Sequence, residues 1–224
     1  GQIELSQPTL IAPTVVSRLD SKADGWGYSN QVGILWKATS WLKLGAMYQS
    51  KTKAEMSGTA NLGLVGSNDF SADFYFPGYY GVGAGATFGN LLIALDVIRS
   101  DYGSTDKTSI DYKSWPDNTL TLDWQNNTIY SLGAEYKLSN WRLRGGFAYQ
   151  DAVIPDKTIG PATPDMNGLT MSGGVGYKAK NFGADLAYVH AWGQERTVAA
   201  SAMGVAGKYS ASIDIFSMAV SYHF

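Results

Sequence analysis

The stretch "YSLGAEYKLSNWRLRGGFAYQ", residues 130–150, decides the fold class. Successive side chains of a strand point to opposite faces of its sheet. In the first half, Tyr130, Leu132, Ala134, Tyr136 and Leu138 share one face, and Ser131, Gly133, Glu135 and Lys137 share the other. In the second half, Trp141, Leu143, Gly145, Phe147 and Tyr149 alternate with Arg142, Arg144, Gly146, Ala148 and Gln150. Between them Ser139–Asn140 supplies two residues of turn chemistry. Folding at that turn sets Leu138 against Trp141, Tyr136 against Leu143 and Glu135 against Arg144. Oily residues meet oily ones, and the polar face gains an ion pair.

The same period-2 alternation recurs along the chain. In "WGYSNQVGILWK", residues 26–37, Trp26, Tyr28, Asn30, Val32, Ile34 and Trp36 share one parity. At about 3.3 Å per residue and a tilt of about 40°, the steps from Trp26 to Trp36 climb roughly 25 Å, the apolar band of an outer-membrane barrel. Aromatic residues at the two ends of such a band are girdle residues at the water interfaces, and Trp26, Tyr28, Trp36, Trp141, Tyr222 and Phe224 are read so. Further strands are expected in "YGVGAGATF" (80–88), "LLIALDVI" (91–98), "LTMSGGVGYKA" (169–179), "FGADLAYVHAW" (182–192) and the closing "DIFSMAVSYHF" (214–224). Glycine on the inner face of a curved sheet lets backbone and side chains approach, which suits Gly83, Gly133 and Gly146 to a lumen wall.

The connections alternate in length. Short ones are expected at Ala38–Ser40, Gly89–Asn90, Ser139–Asn140 and Lys180–Asn181, and long polar ones near 53–75, 103–122, 155–167 and 196–208. A three-residue loop at Ala38–Ser40 sets Trp36 opposite Leu42 and Ile34 opposite Leu44. Short turns at one end and long loops at the other are the pattern of bacterial outer-membrane barrels, with the short turns periplasmic. The expectation is therefore an all-β chain, a single domain over residues 1–224: a transmembrane antiparallel up-and-down β-barrel with about ten strands. The first strand is placed around Thr9–Asp20, where Pro13 interrupts the pattern.

Composition agrees. A formal net charge of −2 leaves no basic stripe for nucleic acid. The absence of cysteine excludes a disulfide scaffold. Charged residues make up 16% of the chain, and no apolar run approaches the length of a membrane helix. A soluble β-sandwich is the alternative, but its strands have no reason to be this long with tryptophan at both ends. Because Gly1 opens directly into "GQIELSQPTL", the chain is expected to be processed, recombinant or a fragment.

Several phrases carry a resemblance. "DGWGYSNQVGILWKATSWLKLGAMYQSK" (24–51), "YSLGAEYKLSNWRLRGGFAYQDAVIPD" (130–156), "GGVGYKAKNFGADLAYVH" (173–190) and the closing "SYHF" resemble the outer-membrane long-chain fatty acid transporter family of the FadL/TodX type. The family resembles a longer barrel plugged by an N-terminal hatch, so this chain looks like its C-terminal part or a shortened form. The resemblance implies an outer-membrane location in a Gram-negative bacterium. It implies passive inward movement of a hydrophobic ligand such as a fatty acid or hydrocarbon, with no cofactor. Outer-membrane lipid is the implied surroundings. The aromatic C-terminal strand resembles the signal read by the barrel-assembly machinery.

Inward parity selects the candidate site. Leu35, Met47, Leu92 and Ile98 are the apolar lumen candidates for ligand contact, with Arg142 and Arg144 as candidate cations. Asp96, Glu135, Lys137 and Asp185 are assigned to a lumen ion network, and Lys37, Lys43 and Lys178 also point inward. Asp96 and Asp185 are each expected to pair with a basic residue across the lumen. A fully paired lumen would instead make a structural or adhesive barrel without transport. An enzyme is not expected. His190 shares the outer parity of Leu186, Tyr188 and Trp192, and His223 sits at the periplasmic end, so neither meets a carboxylate inside the barrel. No ligand spacing for a metal is present.

Overall fold

The computed structural model describes residues 2–12, 15–105, 107–160, 164–199 and 206–222. In chain order the strands are β1 (Gln2–Ala12), β2 (Val15–Tyr28), β3 (Gln31–Lys37), β4 (Leu42–Gln49), β5 (Thr52–Leu62), β6 (Ser67–Phe76), β7 (Tyr79–Phe88), β8 (Leu91–Ser100) and β9 (Lys107–Tyr112). They continue as β10 (Asn118–Thr121), β11 (Asn127–Leu138), β12 (Trp141–Gln150), β13 (Gly168–Lys178), β14 (Phe182–Gly193), β15 (Arg196–Val198), β16 (Gly207–Tyr209) and β17 (Ser212–Tyr222).

Nine of these strands form one antiparallel sheet in the order β17-β14-β13-β12-β11-β8-β7-β4-β3. Each of its hairpins closes at the same end through a short turn. Phe88 pairs with Leu91 across Gly89–Asn90, and Leu138 pairs with Trp141 across Ser139–Asn140. Gly89 has φ +58° and Ser139 has φ +53°, the positive values that two-residue hairpin turns of the primed types require. Glu135 faces Arg144 and Tyr136 faces Leu143, as the alternation predicted.

The turn after β3 differs from the expectation. Trp36 pairs with Leu44 and Lys37 with Lys43, so the loop is longer than Ala38–Ser40. The Thr39 hydroxyl accepts hydrogen bonds from the backbone N–H of Leu42 (3.0 Å) and Trp41 (3.3 Å), which holds the longer turn. A shift of two residues keeps every side chain on its face, so facial alternation could not distinguish the two registers.

Most of the expected long connections are themselves strands. A second antiparallel sheet, in the order β1-β2-β5-β6-β9-β10, extends the first on its long-connection side. Segments 53–75 and 107–121 lie in it as hairpins, and β15 pairs antiparallel with β16 as a separate short ladder. Their faces are small or polar, which hid them from a reading based on oily alternation. Their core is modest: Ala23, Ala54 and Met56 are buried, with Phe70 and Phe74 packed against them.

Two sequence expectations change here. The segment around Thr9–Asp20 is not a strand of the nine-stranded sheet; it is split between β1 and β2, which pair as a hairpin of the second sheet. Trp26–Trp36 is not one element either. Tyr28 pairs with Lys53 while Gln31 pairs with Gln49, so the partner side carries one extra residue at the junction, a bulge. Trp26 and Tyr28 therefore stand opposite Glu55 and Lys53, in the second sheet. Lys53 bridges Asp73 (2.9 Å) and Glu55 (3.0 Å), and these carboxylates, Asp73 foremost, raise its pKa.

A third unit is a cap over the same end, built from residues 123–126, 151–160, 164–167 and the β15–β16 ladder. Ile154, Ile159 and Val198 are buried there, with Trp124, Val153 and Tyr209 against them. The Asp165 carboxylate accepts the backbone N–H groups of Val153 (2.5 Å) and Ile154 (2.6 Å). Arg196 donates to Asp156 (2.7 Å) and to the carbonyls of Ile154 (2.7 Å) and Asp165 (3.1 Å). One guanidinium thus ties three points of an otherwise irregular loop.

Candidate functional site

Register sorts the inner face of the nine-stranded sheet into rows. Counted from the short-turn end, one row is Lys37, Lys43, Gly85 and Ala94. The next is Leu35, Gly45, Gly83 and Asp96, and the third is Gly33, Met47, Gly81 and Ile98. Three successive inner positions of β7 are thus glycine. With no side chain at those inner positions, that strand becomes the floor of a hollow whose walls come from β3, β4 and β8. The hollow has a volume of about 540 Å³. Leu35, Met47, Leu92 and Ile98, the four apolar candidates, all line it. Ile98 and Met47 lean over Gly81, where a methyl group would meet their side-chain carbons at 3.1 and 3.4 Å.

Asp96 lines this hollow too, but not as expected. Among the described residues it makes no ion pair; its carboxylate folds over Gly83, in the space a methyl group would fill. The reason is local: its cross-strand neighbours Gly83 and Ser131 carry no charge.

Arg142 and Arg144 stand elsewhere, on β12, in a polar recess of about 350 Å³ with Glu135, Lys137 and Asp185. Arg144 donates to Glu135 (2.8 Å) and to Asp185 (2.5 Å). Arg142 lies 3.9 Å from Glu135 and donates to the carbonyls of Ser139 (3.3 Å) and Trp141 (3.2 Å). Gly176 stands between Arg142 and Asp185 in the ladder, and its bare backbone lets the Asp185 carboxylate reach Arg144. The six candidates therefore separate into two places. The apolar ones form the hollow, while the arginines are held by carboxylates and backbone carbonyls. Lys137 lines the recess without an ion pair among the described residues.

A third cavity, about 330 Å³, lies under the cap. Tyr79, Tyr102, Trp124, Asn127 and Val153 help line it. Tyr102 packs edge-on to Trp124 with ring centroids 5.6 Å apart. Burial, then the neighbouring Tyr79, pushes the Tyr102 phenol up to about 12. Facial alternation did not find this cavity because Tyr102 and Trp124 lie in connections.

On the outer face, Trp36, Trp141 and Tyr222 stand near the short turns, and Trp141 packs edge-on to Tyr177 at 4.9 Å. Eight residues along β7, β11 and β12 from Phe88, Leu138 and Trp141, the residues that flank two of the short turns, Tyr80, Tyr130 and Tyr149 form a second aromatic belt at roughly 20 Å from those turns, given a rise of about 3.3 Å and a tilt of about 40°. His190 does lie outward, and there it meets a carboxylate: Asp214 accepts from Tyr188 (2.6 Å) and contacts His190 Nδ1 (2.7 Å). That pairing follows from the β14–β17 register, which the sequence left open. His223 and Phe224 lie outside the described residues.

The comparisons with known proteins agree with this geometry. Residues 9–224 match the family described as outer membrane protein transport protein (OMPP1/FadL/TodX). A long-chain fatty acid transport protein of Escherichia coli O6:H1 is 25% identical over 179 residues, which cover 70% of this chain and 40% of that protein. The crystal structure of a Pseudomonas aeruginosa FadL homologue superimposes with a TM-score of 0.84 at 18% identity, covering 99% of this chain and 61% of that one. The Ralstonia pickettii toluene transporter TbuX does so with a TM-score of 0.67 at 20% identity, covering 97% and 55%. The chain thus spans less than two thirds of the length of each of these relatives. With the family match running over nearly all of its length, this all-β chain belongs to the OMPP1/FadL/TodX family of outer-membrane transport proteins.

Proposed function

We propose that this chain builds part of the wall of an outer-membrane conduit for hydrophobic small molecules, which move inward down their own gradient. The observation that carries this reading is the glycine-floored hollow of about 540 Å³, walled by Leu35, Met47, Leu92 and Ile98 on the inner face. An apolar solute leaving water gains about 25 cal/mol per Å² of covered surface, and the apolar side chains of this wall hold it by no directional bond, so that it can leave again. The E. coli relative is named for long-chain fatty acids and the R. pickettii relative for toluene, and both are apolar cargoes of this kind. Short turns face the periplasm in outer-membrane barrels, so the Lys43 end of the hollow is its exit side.

The test is uptake of a labelled fatty acid by cells that lack their own uptake system and express the full chain. Met47→Glu and Ile98→Glu each place a charge on the apolar wall. Each is expected to lower uptake at least about tenfold, since an unpaired charge repels an apolar solute by more than about 1.4 kcal/mol. Unchanged uptake, at equal amounts of inserted protein, would favour a structural barrel with a packed wall.

A further inference from the structure

The outer face of the nine-stranded sheet is aliphatic or aromatic along most of its length, and its charges are few. Among the described residues of these strands, outward parity gives Arg99, His190 and Asp214 as the ionisable groups other than tyrosine. Each stands eight residues from the short-turn end of its strand: Arg99 from Leu91, His190 from Phe182 and Asp214 from Tyr222. That is the level of Tyr80, Tyr130 and Tyr149 in the upper aromatic belt. The charge on this face therefore sits where lipid head groups meet the wall, where an ionised side chain costs least.

His190 and Asp214 answer each other, at 2.7 Å. Arg99 has no such partner. It donates to the Thr128 hydroxyl (2.8 Å), and among the described residues no carboxylate comes within ion-pair distance of it. Register gives the reason. Arg99 stands between Tyr80 on β7 and Thr128 on β11, and neither carries a charge. Asp151, whose backbone N–H donates to the Thr128 carbonyl (3.2 Å), is the next residue along that row, two strands from Arg99. A guanidinium is a planar fork of N–H donors that matches the oxygens of a phosphate, and one hydroxyl engages only part of it.

Short turns face the periplasm in outer-membrane barrels, so the upper belt lies in the outer leaflet. The lipid of that leaflet in Gram-negative bacteria is a phosphorylated glycolipid. We infer that Arg99 is the docking point for one phosphate of this glycolipid on the outside of the wall. The guanidinium takes the phosphate oxygens, and Thr128 holds the guanidinium in place. Tyr80, directly opposite Arg99, and Tyr130, one outward position further down β11, are half-exposed and flank the site with phenol donors for phosphate and sugar oxygens. Ile98, which lines the hollow, and Arg99 point to opposite faces of β8, so the site is separate from whatever passes along the inner face.

The experiment titrates the full chain with bisphosphorylated lipid A, and with the same lipid after removal of its phosphates, and counts bound lipid by native mass spectrometry. The phosphorylated lipid is expected to bind about tenfold more tightly, the scale of one charge-assisted contact. Arg99→Gln should bring it down to the dephosphorylated lipid and leave the latter unchanged. Arg99→Lys keeps the charge and loses the fork, so it should weaken the phosphorylated lipid by about threefold. This second variant keeps the test decisive if Arg99→Gln inserts poorly. Lys53→Gln removes a cation above the belt and should change neither lipid. Equal binding of the two lipids by the unaltered chain, or an unaltered preference in both Arg99 variants, would overturn the assignment. Displacement of the lipid by an equal concentration of inorganic phosphate would overturn it too, making Arg99 a site for free anions.

Discussion

Arg144 holds two carboxylates at once, and it can do so because Gly176 has no side chain. The pairs are partly exposed, so each contributes about 1 kcal/mol or less. Their worth lies in direction: one guanidinium holds the Glu135 and Asp185 carboxylates together across β12 and β13. Gly176→Ala would drive a methyl group into the Asp185 carboxylate and to 3.1 Å from Arg144 Nη1. It should cost about 1–2 kcal/mol in the urea midpoint of the detergent-folded protein, as a disrupted charge-assisted contact does. Gly133→Ala, also on the inner face but with nothing within 4 Å, is the control and should stay within about 0.5 kcal/mol. Equal losses at both positions would show that inner-face glycine, rather than the ion network, sets the cost.

At the scale of elements, two kinds of segment behave differently. The nine-stranded sheet is held by continuous ladders, so its strands open together. The cap has no such ladder across residues 151–160; it depends on Asp165 and Arg196. Arg196→Ala should therefore leave the wall intact and open the cap, raising proteolytic cleavage within 151–160 by about tenfold or more. Limited digestion of folded protein reads this directly, and unchanged cleavage would mean that the Ile154, Ile159 and Val198 core suffices alone. The Pro155–Asp156 pair quoted for the family resemblance has a physical role here. The Pro155 carbonyl accepts from Thr158 and Ile159, both at 3.1 Å, and Asp156 pairs with Arg196.

For the whole molecule, the outer face carries two aromatic belts with aliphatic rows between them, and the second sheet rises beyond the upper belt. The proposed membrane band accordingly runs from Trp36, Trp141 and Tyr222 to Tyr80, Tyr130 and Tyr149, and leaves Trp26 and Tyr28 above it. Brominated lipids quench tryptophans in contact with acyl chains and interfaces. Trp36→Phe and Trp141→Phe should each remove a measurable share of that quenching, and Trp26→Phe should remove none. Quenching carried by Trp26 would place the second sheet in lipid, against the charged Lys53, Glu55 and Asp73 on its face.

Alternation along the chain was enough to establish most strands of the nine-stranded sheet, their two faces and the two-residue turns. A strand's period is fixed by backbone geometry, and Leu138, Tyr136 and Glu135 find their partners across a turn too short to permit another pairing. That reasoning also found Leu35, Met47, Leu92 and Ile98, since inward parity is a local property. Register across the looser turn after β3 was beyond it, because a shift of two residues preserves every face. Only the folded hairpin sets Lys37 against Lys43. The partners of Asp96 and Asp214 were equally hidden, since each depends on which residue of a neighbouring strand comes alongside. The polar second sheet escaped because its strands bury small residues such as Ala23, Ala54 and Ala72 and so carry no oily period. Sequence fixes what is repeated every two residues; the tertiary structure alone decides which strands meet, at what register, and which charges are left without a partner.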